Sequence, residues 1–246
     1  MKICGLNKTT LLDYPGKVAC TIFIGGCNFR CPFCHNGSLV LHASEQPEIT
    51  PEEIFTFLKR RKGILEGVCV TGGEPTLYSE LPEFLQKIHS LGYAVKLDTN
   101  GYMPEILSGL LAENLLDYVA MDIKTGPSDY SRVAGLTKVE GSIFASSGKN
   151  LIENVKESIH FLMNDTDLSR FTYEFRTTVV RELHNADSFL EIGNWIQGAS
   201  HYYLQSYKDS ETVLCPGFHS YSKEELSAFA DLLRPMIPSV TLRGVD

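Results

Sequence analysis

No apolar stretch in this 246-residue chain is long enough to cross a bilayer: the longest, Val18 to Ile24, falls far short of the roughly 20 residues a spanning helix needs. The start lacks the cationic head and long apolar segment of a secretory leader. Positive charge is not in surplus either. Lys and Arg number 22 against 30 Asp and Glu, a formal net charge of −8, which argues against a whole-chain electrostatic grip on nucleic acid or an anionic membrane surface. No Pro- or Ser-rich linker, low-complexity tract or long internal repeat divides the sequence, so we expect one domain over residues 1–246. Nor is there a disulfide framework. The cysteine count of 7 is odd, with three crowded together and Cys4, Cys20, Cys69 and Cys215 isolated. What is present, 43% hydrophobic residues with 10% aromatics, suffices for a full core. The expected location is the cytoplasm.

Apolar runs alternate with helix-like segments. Strands are expected at Val18–Ile24, Gly67–Val70, Tyr93–Leu97, Tyr118–Ile123, Phe171–Val180 and His201–Gln205, with a last one at Val240–Leu242. Between them, Leu81/Leu85/Ile88/Leu91, Ile106/Leu110/Leu111, Leu151/Val155/Ile159/Leu162 and Phe189–Ile196 read as helices. Thr50 with Glu53, and Ser222 with Glu225, are capping-box pairs that open two more, the first with Pro51 in its first turn. Six strand-then-helix units in series imply an α/β fold with a parallel sheet, because each return needs a crossover. An open doubly wound sheet and a partial (β/α)6 TIM-like barrel are the candidates. In both, chemistry collects at the C-terminal ends of the strands.

The unusual residues stand at those ends. Cys27-Asn28-Phe29-Arg30-Cys31-Pro32-Phe33-Cys34, in loop 25–36 after the first strand, spaces three thiols as C-x3-C-x2-C. Pro32 disfavours a regular helix there, so the loop can fold its thiols around one centre. Three thiolates could hold zinc with a fourth ligand, His35 being adjacent, or three irons of a 4Fe–4S cluster with the fourth iron open. Zinc is the weaker reading, because no second ligand arm exists in the sequence. Strand alternation adds a second observation. Lys96 and Asp98 share a face, as do Asp122 and Lys124, and Glu174, Arg176 and Thr178, while Val95, Leu97, Met121, Ile123, Phe175 and Val179 take the opposite faces. If the apolar set meets the helices, the charged set points inward, where it must pair with itself or await a polar ligand. Gly148-Lys149-Asn150 has the wrong upstream glycine, Gly141, and the wrong last residue for a triphosphate loop, and that reading is rejected.

With the aromatic Phe33 before its third cysteine, the C-x3-C-x2-C segment resembles the signature of the radical S-adenosylmethionine (radical SAM) superfamily. Thr71-Gly72-Gly73-Glu74-Pro75 resembles that family's GGEP motif. Asp98-Thr99-Asn100-Gly101 and Asp122-Ile123-Lys124 resemble motifs of the glycyl-radical-enzyme activases. Lys8-Thr9, Asp13-Tyr14-Pro15-Gly16-Lys17, Cys34-His35-Asn36 and Glu174-Phe175-Arg176-Thr177-Thr178-Val179 narrow the resemblance to activating proteins of anaerobic (class III) ribonucleoside-triphosphate reductase.

The resemblance implies one 4Fe–4S cluster on Cys27, Cys31 and Cys34, and S-adenosylmethionine bound by Phe33, Gly72, Gly73, Glu74, Asp98, Asn100, Asp122, Lys124, Arg176 and Gln205. Within that set, Gly72 and Gly73 would meet the methionine amino group, Lys124 the carboxylate or ribose, and Gln205 the adenosine. Asp98, Thr99 and Asp122 resemble residues that hold a monovalent cation beside the cofactor. The implied activity is reductive cleavage of S-adenosylmethionine and hydrogen abstraction from a glycine of a partner, anaerobic ribonucleotide reductase. Between Cys34 and Thr50 there is no room for a cysteine-rich ferredoxin insert, and no auxiliary cluster follows, so the electron comes from a separate donor such as flavodoxin or ferredoxin. Two alternatives compete: a radical SAM enzyme acting on a small molecule, like a deazapurine synthase, and a non-enzymatic iron–sulfur protein.

Overall fold

Parallel strands need a crossover at every step, and the alternation of apolar runs supplies it. The computed structural model describes residues 1–136, 151–164 and 170–245; Gly141 and Gly148–Asn150, where the triphosphate loop was considered, lie outside them. The strands are β1 (Ile3–Thr10), β2 (Ala19–Ile24), β3 (Gly67–Gly72), β4 (Ala94–Thr99), β5 (Tyr118–Asp122), β6 (Thr172–Val179), β7 (Tyr202–Ser206) and β8 (Val240–Arg243). They form one 8-stranded sheet in chain order, β1 antiparallel to β2 and every later pair parallel. The helices are α1 (Gly37–Leu41), α2 (Pro51–Arg60), α3 (Leu81–Ser90), α4 (Pro104–Ala112), α5 (Tyr130–Val133), α6 (Leu151–Asn164), α7 (Ala186–Trp195) and α8 (Lys223–Leu233).

A doubly wound sheet reverses its strand order at a switch point. This sheet never does. Sequential right-handed crossovers put the helices on one side, so the sheet curls into a partial barrel whose inner face is left free. The expected six strands are β2 to β7, extended by β8 at one edge and by β1 at the other. The sequence gives no clear sign of β1: its stretch Asn7, Lys8 and Thr9 is exposed, as suits an edge strand with no apolar alternation to announce it. Both expected capping boxes form; Thr50 Oγ1 accepts the Glu53 N–H at 3.2 Å, and Glu53 Oε2 accepts the Thr50 N–H at 2.8 Å. A third box, Asn185 with Ser188, starts α7 earlier than its apolar pattern suggested.

The outer face is mostly apolar, the buried Thr177 being hydrogen-bonded to Ile123 O and Tyr202 Oη. Val68, Val70, Val95, Leu97, Val119, Met121, Phe175 and Val179 are fully buried in the main core, each worth roughly 1.5–3 kcal/mol of burial for a side chain of this size. The inner face carries a small separate cluster of Tyr14, Ala19, Tyr118 and Ala120. Tyr14 comes from the β1–β2 loop and meets Tyr118 edge-on with ring centroids 5.8 Å apart, closing the end of the barrel where the strands begin. A Cβ at Gly67 would stand 2.9 Å from the Tyr14 ring, so β3 has to start on a glycine for that plug to fit. With one end closed, the inner face opens toward the C-terminal ends of the strands.

Candidate active site

Loop 25–36 leaves β2 at this open end and is held by backbone hydrogen bonds from distant segments. The Arg30 N–H donates to Ala134 O at 2.9 Å, and the Leu214 and Cys215 N–H groups donate to Cys34 O and Pro32 O at 2.9 and 2.8 Å. Asn36 Nδ2 donates to Gly72 O at 2.8 Å, tying the loop to β3. Phe29 and Phe33 are buried beneath it, Phe33 edge-on to His184 at 6.3 Å. These restraints bring Cys27, Cys31 and Cys34 onto the wall of a cavity of about 820 Å³. The same cavity is lined by Phe33, Gly72, Gly73, Glu74, Asp98, Thr99, Asn100, Asp122, Lys124, Arg176 and Gln205, so every site residue singled out in the sequence comes to one place.

The three sulfurs are free thiols. Burial, helped by the nearby Glu74 carboxylate, pushes Cys27 up to about 12. Burial also pushes Cys31 up to about 11 and raises Cys34, although the Lys124 charge opposes it at both. A metal that binds them must therefore displace their protons. Cys27 Sγ already receives the Phe29 N–H at 3.3 Å and Asn100 Nδ2 at 3.9 Å, donors suited to a thiolate. Beside it, the buried Asn28 leaves its Nδ2 without a partner. Among the described residues no three His, Cys, Asp or Glu side chains are grouped to hold a single ion, which a zinc site requires. A cluster that gives each thiolate its own iron makes no such demand, and the donor set fits it. His35 is turned elsewhere: its Nε2 lies 2.5 Å from Lys208 O and its ring tilts against Tyr207.

Gly72 and Gly73 have a reason inside the protein. A Cβ at Gly72, whose φ is +119, would lie 2.3 Å from Ile24 O, and one at Gly73 would lie 1.8 Å from Gly26 O. The close approach that these glycines permit is first to the end of β2 and the cysteine loop, with the cavity on the other side. Glu74 is fully buried and makes no ion pair among the described residues. Its carboxylate accepts from Thr76 Oγ1 (2.6 Å), Thr76 N (3.1 Å), Thr99 Oγ1 (2.8 Å) and Asn100 N (2.6 Å). Burial raises its pKa against these donors. Glu74 thus straps the turn after β3 to the end of β4, fixing Thr99 and Asn100.

The charged inner face pairs with itself. Lys96 Nζ donates to Asp98 Oδ1. Arg176 Nη2 is 3.2 Å from Asp98 Oδ2, its Nε is 2.6 Å from Asp122 Oδ1, and Lys124 Nζ is 3.1 Å from Asp122 Oδ2. Burial would raise both aspartates, but Arg176 together with Lys96 or Lys124 holds each below the usual carboxylate range. Strand register explains the lattice: Asp122 and Arg176 are cross-strand partners, and alternation keeps Lys96 with Asp98 on the inner face. This is the self-neutralising arrangement weighed above, and its three cations exceed its two carboxylates by one charge.

Two residues escaped the sequence reading, and the first is Arg243, the partner of Glu174. Glu174, fully buried, accepts from both Arg243 Nη1 (2.6 Å) and Arg243 Nη2 (2.7 Å) and from Tyr118 Oη, while Arg243 stacks on Tyr203 at 3.4 Å. The alternation of Val240 and Leu242 with Thr241 and Arg243 was the available signal, but the strand is too short to make it plain. His184 is the other. Buried and neutral, because burial lowers its pKa, it accepts the Val180 N–H on Nδ1 at 3.0 Å and donates from Nε2 to Lys124 O at 2.8 Å. It thereby fixes the backbone that carries Lys124.

Comparison with known proteins agrees with this geometry. The profile of the Radical SAM superfamily matches residues 21–167. A protein of Methanocaldococcus jannaschii named "Putative glycyl-radical enzyme activating enzyme" is 26% identical over 99% of this chain and 96% of its own length. Pyruvate formate-lyase-activating enzyme of Clostridium pasteurianum is 31% identical over 61% of this chain and 64% of its own. A "Probable GTP 3',8-cyclase" of Thermococcus kodakarensis is 31% identical over 55% of this chain but only 41% of its own. Among solved structures, SuiB of Streptococcus suis superposes with a TM-score of 0.65 at 12% identity, covering 91% of this chain and 48% of that one, a likeness of fold alone.

Proposed function

The chain belongs to the radical SAM superfamily, and on that premise we propose that it activates a glycyl-radical enzyme, most specifically an anaerobic ribonucleotide reductase. The observation that carries this reading is the end-to-end similarity to a protein of matching length that is named as an activating enzyme. The family implies a 4Fe–4S cluster and S-adenosylmethionine. When bound, they supply one-electron cleavage of a sulfonium carbon–sulfur bond and the hydrogen abstraction that follows.

The chain's own residues bind, orient and enclose. Cys27, Cys31 and Cys34 would hold the cluster, with Phe29 N–H and Asn100 Nδ2 directed at Cys27. Phe33, Gly72, Gly73, Glu74, Asp98, Asn100, Asp122, Lys124, Arg176 and Gln205 would line the seat of S-adenosylmethionine. The surplus positive charge among Lys96, Lys124 and Arg176 suits its carboxylate, and Tyr14 keeps water from entering through the far end of the barrel. Cys4, Cys20, Cys69 and Cys215 stand apart in the sequence, so a separate carrier such as flavodoxin or ferredoxin delivers the electron.

Action on a small molecule is supported only by the stretch shared with the cyclases, which leaves more than half of their length unmatched. An electron-transfer protein would have no use for the charged lumen. The test is anaerobic: the reconstituted, reduced protein is incubated with S-adenosylmethionine and an anaerobic ribonucleotide reductase, followed by EPR and chromatography. A glycyl-radical doublet together with 5′-deoxyadenosine is expected. Deoxyadenosine without a radical on any glycyl-radical enzyme would move the assignment to a small-molecule substrate, and the absence of both would remove the enzymatic reading.

A further inference from the structure

The resemblance implies a monovalent cation at Asp98, Thr99 and Asp122, and these residues do not fit one. All four carboxylate oxygens already face cations. Asp98 Oδ1 faces Lys96 and Asp98 Oδ2 faces Arg176, while Asp122 Oδ1 and Oδ2 face Arg176 and Lys124. Thr71 Oγ1 adds a further donor to Asp98 Oδ2 at 3.0 Å. The third expected ligand is engaged as well. Thr99 gives its hydroxyl proton to Glu74 at 2.8 Å and accepts the Gly101 N–H at 3.1 Å. A hard cation needs several unshared oxygens at once, and here they point at nitrogen.

Charge leads to the same conclusion. The lattice of Lys96, Asp98, Asp122, Lys124 and Arg176 has one positive charge in excess, and a metal ion would make it two in a site largely withdrawn from solvent. An anionic ligand group would bring it to zero. Arg176 has the right form for the role: a guanidinium is planar and permanently charged, with five donors. Two of its nitrogens engage the aspartates, and the side chain also lines the cavity, with donors remaining for a ligand.

We propose that Arg176 is this chain's built-in cation, bridging Asp98 and Asp122, so that the lumen takes the carboxylate of S-adenosylmethionine without an alkali metal ion. The proposal rests on binding of that cofactor here and not on the identity of the second substrate. Its test is binding of S-adenosylmethionine to the full chain, carrying its reconstituted cluster, by anaerobic equilibrium dialysis in choline, sodium and potassium chloride at equal ionic strength. Wild-type affinity should agree within about twofold in all three, whereas Arg176→Gln should lose about tenfold or more in choline and recover in sodium or potassium. Arg176→Lys, which keeps the charge, should remain insensitive to the salt.

Thermal unfolding of the wild-type protein in the same salts gives a second reading that needs no S-adenosylmethionine. Equal midpoints are expected. A wild-type affinity that rises about tenfold in sodium or potassium, a midpoint raised by one alkali ion alone, or an Arg176→Gln protein that matches wild type in choline would each overturn the proposal. Absence of S-adenosylmethionine binding in every salt would instead count against the cofactor seat, and the unfolding midpoints would still decide for or against a metal ion.

Discussion

Replacing Arg243 by Met should destabilise the protein more than an exposed arginine would. Glu174 has no exposed surface and receives two hydrogen bonds from Arg243, leaving Tyr118 as its remaining side-chain partner among the described residues once Arg243 is gone. Breaking a buried ion pair from one side costs about 3–5 kcal/mol, because the surviving charge is stranded. Arg243 keeps 31% of its side chain in solvent, so the lower end, about 3 kcal/mol, is the working figure. In a chain of this size that corresponds to a fall in Tm of about 6–12 °C. The assay is anaerobic thermal unfolding of wild type, Arg243→Met, and a Glu174→Leu/Arg243→Met double variant. Replacing both partners with apolar groups should recover most of the loss. A single variant within about 1 kcal/mol of wild type, or a double variant no better than the single, would refute the view that this pair matters through stranded charge.

Cys31→Ala should lose the cluster's visible absorption and its iron after anaerobic reconstitution, while Cys4→Ala and Cys215→Ala should keep both; iron retained by the Cys31 variant would break the ligand assignment. Lys124→Ala should weaken S-adenosylmethionine binding by roughly 10- to 100-fold while leaving cluster absorption intact, as measured by dialysis alongside spectroscopy. The acid limb of stability should follow Asp98 and Asp122. Their folded pKa values lie below the ordinary 3.8, so their contribution is fully present above that value and is lost as pH falls through the folded ones. In the cluster-free chain the alkaline limb should start near pH 9, where unfolded cysteines ionise but the buried Cys20, Cys27, Cys31 and Cys69, all raised from 9.0, do not. Urea titrations across pH check both limbs, and a decline beginning near pH 6 would contradict them.

The parallel sheet was legible because short strands with an apolar outer face recur in alternation with helix-period segments along the chain. The candidate site was legible because its residues sit in short motifs at strand ends, where loop spacing and alternation survive in one dimension. What sequence could not supply was pairing across the barrel. Arg176 reaching two aspartates, Arg243 meeting Glu174, and His184 holding the Lys124 carbonyl all join residues from different strands or turns. A second role of Gly72 and Gly73 was hidden for the same reason: their tightest neighbours, Ile24 and Gly26, lie on another strand and its loop. Edge strand β1 was missed because exposure removes the apolar alternation that marks a strand.

The hydrogen bonds from Leu214 and Cys215 to the loop of Cys34 have a consequence for biosynthesis. The cysteine segment is translated well before the segment that braces it. Until Leu214 and Cys215 have been made, the loop lacks these two hydrogen bonds. A chain stopped ahead of Leu214 would keep every cysteine of the motif and still lack the grip that shapes it.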